Sequence, residues 1–116
     1  MAYVLVGLGG ALGSVVRYSL GKFISRKLKG KFPYGTFIIN ITGAFLLGAV
    51  SSVAAGTNWY VFLAEGFLGA YTTFSTFMYE GFNLFLDKEK LNAITYIIIS
   101  LILGLLGFEL GNRIFY

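Results

Sequence analysis

The sequence predicts an all-α integral membrane protein with four transmembrane helices, the third of them broken near its middle. Of the 116 residues, 57% are hydrophobic and only 12% are charged, and the mean hydropathy is +0.78. A domain this small cannot bury so much apolar surface in water, because small proteins have a high surface-to-volume ratio. A membrane span needs about 20 apolar residues, so the chain accommodates four spans and leaves no room for a separate soluble domain.

Counts of single residue types exclude several classes of function. The chain contains no cysteine and no histidine, so disulfides, thiolate nucleophiles and histidine-ligated metals are absent. We do not expect an enzyme, because apart from rare serine–lysine types no nucleophile–base pair can be built. The net charge is +4, but the basic residues gather between apolar segments, which is typical of membrane topology rather than of nucleic-acid binding.

The predicted spans form one four-helix transmembrane domain over residues 1–116, and each is bounded by a turn or a charged connector. The first span lacks the features of a signal peptide, and no targeting segment is evident, which favours a bacterial plasma membrane. Gly9 and Gly13 form a small-xxx-small pair in it, which predicts close helix packing. The four predicted spans are residues 2–21, 36–55, 59–86 and 91–112.

The third segment is unusual because glycines and hydroxyls interrupt it at membrane depth. Two glycines and four serine or threonine side chains fall in the run from Gly66 to Phe77. Non-helical backbone is tolerated in a membrane where it is buried in protein or lines a wet cavity. We therefore predict that this helix breaks near residues 69–73.

Charge is distributed unevenly between the two ends of the predicted bundle. Eight of the nine lysines and arginines lie on the side of the first and third connectors, and one lies on the other side. The positive-inside rule then puts these connectors in the cytoplasm and both termini outside. The residues are Arg17, Lys22, Arg26, Lys27, Lys29, Lys31, Lys88 and Lys90 on the first side, and Arg113 on the other.

Polar groups within the spans are the candidates for a function, since they are costly in lipid. Most of them donate hydrogen bonds, which favours a path for an anion. Phe74 and Phe77 share a helix face and could line such a path with their ring edges, although two core phenylalanines have the same spacing. Carbonyls of Gly69 and Thr72 could hold a monovalent cation, or the glycine could mark a plain kink. The polar candidates are Arg17, Asn40, Thr72, Thr73, Ser75, Thr76, Glu80, Tyr96 and Ser100.

Taken together, these residues resemble the Fluc fluoride channels, also called the CrcB family. The most specific part of the resemblance is the run from Gly66 to Phe77, Gly-Phe-Leu-Gly-Ala-Tyr-Thr-Thr-Phe-Ser-Thr-Phe. Other matching parts are Gly9 to Gly13 followed by Arg17-Tyr18, Pro33 to Thr36 leading to Asn40, Gly43, Gly48, Glu80 and Tyr96. The resemblance covers nearly the whole chain. Ala70 departs from the family pattern, which commonly has a second glycine there.

The resemblance implies a passive channel that exports cytoplasmic fluoride and limits its toxicity. It implies an antiparallel, dual-topology homodimer in the lipid bilayer, with two pores at the interface and a structural sodium ion at its centre. By position, the backbone carbonyls of Gly69 and Thr72 look like the sodium ligands. The fluoride pore would be lined by Asn40, Phe74, Phe77, Ser75, Thr76, Tyr96 and Arg17.

Three alternatives remain open at this point. The charge bias is awkward for a chain that inserts both ways, so the first alternative is one subunit of a paired heterodimeric fluoride channel. A small four-helix multidrug exporter has the same size, but it needs an acid in the first span, and the first acid here is Glu65. A non-transporting membrane subunit does not explain the hydroxyl-rich run.

Overall fold

The fold is helical throughout the part of the chain that the computed structural model describes, which is residues 1–30 and 32–115. Three short helical stretches follow one another without interruption over residues 58–71. The elements in order are α1 (Ala2–Lys27), α2 (Tyr34–Ala54), α3 (Asn58–Tyr60), the π-helical segment (Val61–Leu68), α4 (Gly69–Tyr71), α5 (Ser75–Leu86) and α6 (Lys90–Ile114).

Three helices, α1, α2 and α6, are long and apolar enough to cross a membrane. The predicted all-helical, multi-pass class is confirmed. The region predicted as one span over residues 59–86 is not a single long helix. Its helical runs end at Tyr71 and resume at Ser75, so each run is too short to count as a span by itself.

Helix α1 continues six residues past its predicted end at residue 21 and stops at Lys27. Half of the predicted basic connector is therefore helical. Lysine and arginine are good helix formers, and near a helix C-terminus they interact favourably with the helix dipole. Helix α2 begins at Tyr34, with Pro33 as its N-cap. Lys31 lies outside the described residues.

Glycines allow the helices to approach each other at two contacts. Gly9 and Gly13 of α1 lie against the backbone of Phe62 and Phe67 in the π-helical segment, and a Cβ atom at either glycine would overlap that backbone. The prediction that this glycine pair serves close packing is confirmed. The α2–α6 contact is similar, because a Cβ atom at Gly48 would overlap the backbone around Phe108.

The buried core is small and consists of two clusters. One contains Phe77, Leu84, Ala93 and Tyr96, and the other contains Ile39, Leu68 and Tyr71. In the most apolar stretches of the three long helices, at most 17% of residues are buried inside the chain. Large apolar side chains therefore cover the surface, which is expected of a protein that faces lipid or a partner subunit.

Candidate functional site

The centre of the candidate site is a short non-helical segment, residues 72–74, between α4 and α5. Helix α4 ends at Tyr71, and Thr72 has extended backbone dihedral angles, with φ −83° and ψ 160°. Helix α5 begins at Ser75, with Phe74 as its N-cap. The chain therefore leaves the helical conformation within the run of hydroxyl residues that the sequence singled out.

The side chain of Asn40 in α2 is joined to the backbone of Thr73 by two hydrogen bonds. Its Nδ2 donates to the carbonyl oxygen of Thr73 at 2.8 Å, and the Thr73 N–H donates to Asn40 Oδ1 at 2.9 Å. A non-helical backbone in a membrane needs such partners, because unpaired polar groups are costly in lipid. Asn40 thus provides hydrogen-bond partners for the backbone N–H and the backbone carbonyl of Thr73.

Two hydrogen bonds to side chains at the break affect the two carbonyls that the sequence predicted as cation ligands. In a continuous helix the Thr73 N–H would donate to Gly69, and the Thr76 N–H would donate to Thr72. Here the Thr73 N–H donates to Asn40, and the Thr76 N–H donates to Thr73 Oγ1 at 3.2 Å. Gly69 and Thr72 therefore present carbonyl oxygens relieved of their usual helical donors, and carbonyl oxygen is a ligand that hard cations prefer.

Two residues to which the sequence analysis assigned no site role, Tyr71 and Thr42, hold the preceding turn against α2. The hydroxyl groups of Tyr71 and Thr42 are 2.9 Å apart and hydrogen-bonded. Tyr71 is buried, and a Cβ atom at Gly43 would overlap the methyl group of Thr72. Thr42 and Tyr71 are polar residues within apolar runs, and that polarity is the signal in the sequence that could have assigned them to the site.

Phe74 and Phe77 are neighbours, but they occupy different environments. Their ring centroids are 6.1 Å apart. Phe77 is 6% exposed and packs on the Tyr96 ring at 5.1 Å, whereas Phe74 is 72% exposed. The difference arises because Phe74 lies at the helix boundary, where its side chain points away from the core that Phe77 helps to form. The spacing alone did not reveal this asymmetry.

Four polar atoms near this region are buried without a hydrogen-bond partner among the described residues. They are the Tyr96 hydroxyl, the Ser100 hydroxyl, one carboxylate oxygen of Glu80 and Nε of Arg17. Tyr96 is fully buried, between Phe77 and Phe32. Such groups are rare in proteins and require an explanation, which a bound ion or a hydrogen-bonding partner can supply.

An open cleft of about 960 Å³ lies between the C-terminal part of α1, the start of α2 and α5. Arg17, Thr73, Thr76 and Glu80 are among its lining residues. The structure therefore brings these polar residues together around one cleft. Ser75 is exposed and, like Phe74, does not line it.

Comparison with known proteins shows sequence similarity over nearly the whole chain. The family described as CrcB-like protein, Camphor Resistance (CrcB), matches residues 4–112. The fluoride-specific ion channel FluC 2 of Clostridium acetobutylicum is 64% identical over 114 residues, which are 98% of this chain and 97% of that protein. The fluoride-specific ion channel FluC 1 of Listeria innocua is 45% identical over 112 residues, 94% of this chain and 92% of the relative. This chain is a member of the CrcB family.

Proposed function

We propose that this chain forms a passive, fluoride-selective ion channel that exports cytoplasmic fluoride and limits its toxicity. The observation that carries the proposal is the 64% identity, over nearly the whole length of both chains, to a relative named a fluoride-specific ion channel. A negative-inside potential drives anions outward, so an open path is enough and no energy source is needed. The proposed location is the bacterial plasma membrane.

The hydrogen-bond donors at the break support a path for a small, strongly hydrated anion. A carboxamide nitrogen carries two hydrogens, and Asn40 uses one of them for the Thr73 carbonyl, so the other remains for an ion. In the proposal the hydroxyls of Ser75, Thr76 and Tyr96 extend this set of donors, and Arg17 attracts the anion from the cleft. Donors of this kind offset the loss of the hydration shell.

A second copy of the chain completes the pore in this proposal. Phe74 is 72% exposed although it adjoins the break, and large apolar side chains cover the long helices. An antiparallel dimer would bury this surface and put the Phe74 ring edge beside a shared path. An aromatic edge is positive, so it can face an anion without binding it tightly. The proposed dimer has two such pores.

A sodium ion at the twofold axis is part of the same proposal. The carbonyls of Gly69 and Thr72 fit this role, because the amides of Thr73 and Thr76 donate to side chains instead. An isologous dimer repeats the two carbonyls and gives four oxygen ligands on the axis. The ion would link the subunits and add a positive charge between the pores.

The uneven charge supports one variant of this assembly, in which the chain pairs with a similar subunit of opposite orientation. Eight of nine lysines and arginines lie on one side of the predicted topology. A chain with so strong a bias inserts preferentially one way. A multidrug exporter is less well supported, since α1 and α2 contain no acidic residue.

Ion efflux from liposomes tests the function directly. Purified chain is reconstituted in vesicles loaded with potassium fluoride or potassium chloride, and efflux is recorded after addition of a potassium ionophore. We expect rapid fluoride efflux and negligible chloride efflux. Fluoride flux that appears only after a second, similar chain is added would replace the homodimer by the paired form. Equal fluoride and chloride flux, or none in either preparation, would overturn the proposal.

A further inference from the structure

The rim of the open cleft is strongly basic. Lys22, Arg26 and Lys29 line it together with Arg17, whereas the acidic residues that line it are Glu80 and Asp87. Four cationic groups face two carboxylates, which leaves an excess of two positive charges. The ion pair found among the described residues, Arg113 with Glu109, belongs to the C-terminal end of α6, so it does not neutralise this rim.

The length of α1 is consistent with a rim near the lipid phosphates. Helix α1 has 26 residues, which at 1.5 Å per residue is a length of about 39 Å. The hydrocarbon core of a bilayer is about 30 Å thick. If the apolar N-terminal part of α1 crosses this core, its last turns, which carry Lys22 and Arg26, lie in the headgroup region.

The surroundings of two of the cationic groups bear on what they can bind. The Lys22 ammonium lies over the Tyr18 ring, 5.2 Å from its centroid, and both residues line the cleft. Nε of Arg17 is buried and has no hydrogen-bond partner among the described residues. A guanidinium whose Nε–H lacks a partner suits an oxyanion, because the planar guanidinium can donate two hydrogen bonds to one oxyanion at once.

We propose that this cleft rim is a binding site for a phosphate group, at the cleft from which the proposed fluoride path opens. A phosphate offers several acceptor oxygens and one to two negative charges, which match the arginine fork and the excess charge of the rim. The cleft, at about 960 Å³, admits such a group without rearrangement. The phosphate can come from solution or from the headgroup of an anionic phospholipid, and the two sources are separated below.

The first experiment measures binding of inorganic phosphate to the full-length protein in maltoside detergent by isothermal titration calorimetry. Lys22→Gln is compared with Lys27→Gln. The two lysines are matched, because each lies over an aromatic ring on α1, Tyr18 or Phe23, but Lys27 does not line the cleft. We expect Lys22→Gln to weaken phosphate binding about fivefold and Lys27→Gln to leave it unchanged.

The second experiment tests the headgroup as the source. Native mass spectrometry counts the phosphatidylglycerol and phosphatidylcholine molecules retained by each variant from an equimolar mixture. Phosphatidylglycerol retention that falls in Lys22→Gln but not in Lys27→Gln identifies a headgroup site, and a response to inorganic phosphate alone identifies a soluble ligand. Equal losses in the two variants, or no binding in either experiment, would overturn the proposal. Neither measurement requires fluoride conduction, so its outcome is independent of the proposed channel function.

Discussion

Asn40 and Thr73, 33 positions apart in sequence, are joined by two reciprocal hydrogen bonds of 2.8 and 2.9 Å. The pair fixes the break against α2 and at the same time diverts the amide that would bond to the Gly69 carbonyl. In the proposed channel one side chain therefore serves both ions. Its remaining Nδ2 hydrogen faces the anion, and its Oδ1 accepts the Thr73 N–H, which leaves the Gly69 carbonyl as a ligand for the cation.

Substitutions at Asn40 separate these two contributions. We expect Asn40→Leu to abolish the sodium-dependent rise in thermal stability of the detergent-solubilised protein, because the Thr73 amide can then return to Gly69. We expect Asn40→Asp to keep this rise, because it retains the acceptor, but to lose fluoride flux, because it lacks the donor. Each polar group that loses its partner costs about 1–3 kcal/mol.

The measurement is the melting temperature in sodium chloride and in N-methylglucamine chloride. Asn58→Leu is the control, since Asn58 is exposed at the start of α3. A full sodium response in Asn40→Leu would contradict the link between the two residues. No sodium response in the unsubstituted protein would instead remove the proposed sodium site.

Phe74→Ile should slow fluoride efflux strongly while the dimer persists. The ring is 72% exposed within one chain, so its loss leaves the fold of the subunit nearly intact, but it removes the aromatic edge proposed to face the ion. Phe82→Ile is the matched control, because Phe82 is 60% exposed on α5, the helix that Phe74 caps. Liposome efflux and size-exclusion chromatography measure the two properties. Normal flux in Phe74→Ile would leave the pore assignment of Phe74 without support.

The sequence predicted much of this fold because its signals are local. Long apolar runs identified α1, α2 and α6. The glycines and hydroxyls between residues 66 and 77 predicted a break near residues 69–73, whereas Gly69–Tyr71 is helical and the non-helical residues are 72–74. The Asn40–Thr73 pair was not predictable, because it depends on how α2 packs against a segment far along the chain. The opposite exposures of Phe74 and Phe77 were missed for a similar reason, since spacing describes a continuous helix and Phe74 lies at a helix end.

Gly69→Val tests whether a second copy surrounds the proposed cation site. Within one chain the position is open, since a Cβ atom there meets only the Ala64 carbonyl oxygen, at 3.8 Å. We expect the variant to fold but to lose most of its sodium-dependent stabilisation, because the larger side chain crowds the facing subunit. The melting temperatures with and without sodium provide the test. An unchanged sodium response would argue against a cation shared at this residue.

Gly48→Ala should destabilise the contact between α2 and α6. The added Cβ atom overlaps the backbone around Phe108, which cannot move without shifting a whole helix. Such overpacking typically costs about 1–3 kcal/mol. Gly104→Ala on α6 is the control, because a Cβ atom there meets nothing within 4 Å and helix propensity favours alanine. Unfolding in mixed micelles measures the free energy of unfolding of each variant. Equal stability of the two variants would contradict the packing argument.

Tyr96→Phe distinguishes a functional hydroxyl from a structural one. The side chain is fully buried, and its hydroxyl has no hydrogen-bond partner among the described residues. Removing an unpaired buried hydroxyl should leave the free energy of unfolding unchanged or raise it, because the desolvation cost of that group, about 1–3 kcal/mol, disappears. Fluoride efflux should nevertheless fall, since the proposed path loses a donor. Tyr79→Phe, at an exposed tyrosine of α5, should change neither quantity. A stable Tyr96→Phe protein with full fluoride flux would exclude the hydroxyl from the path and leave it a purely structural group.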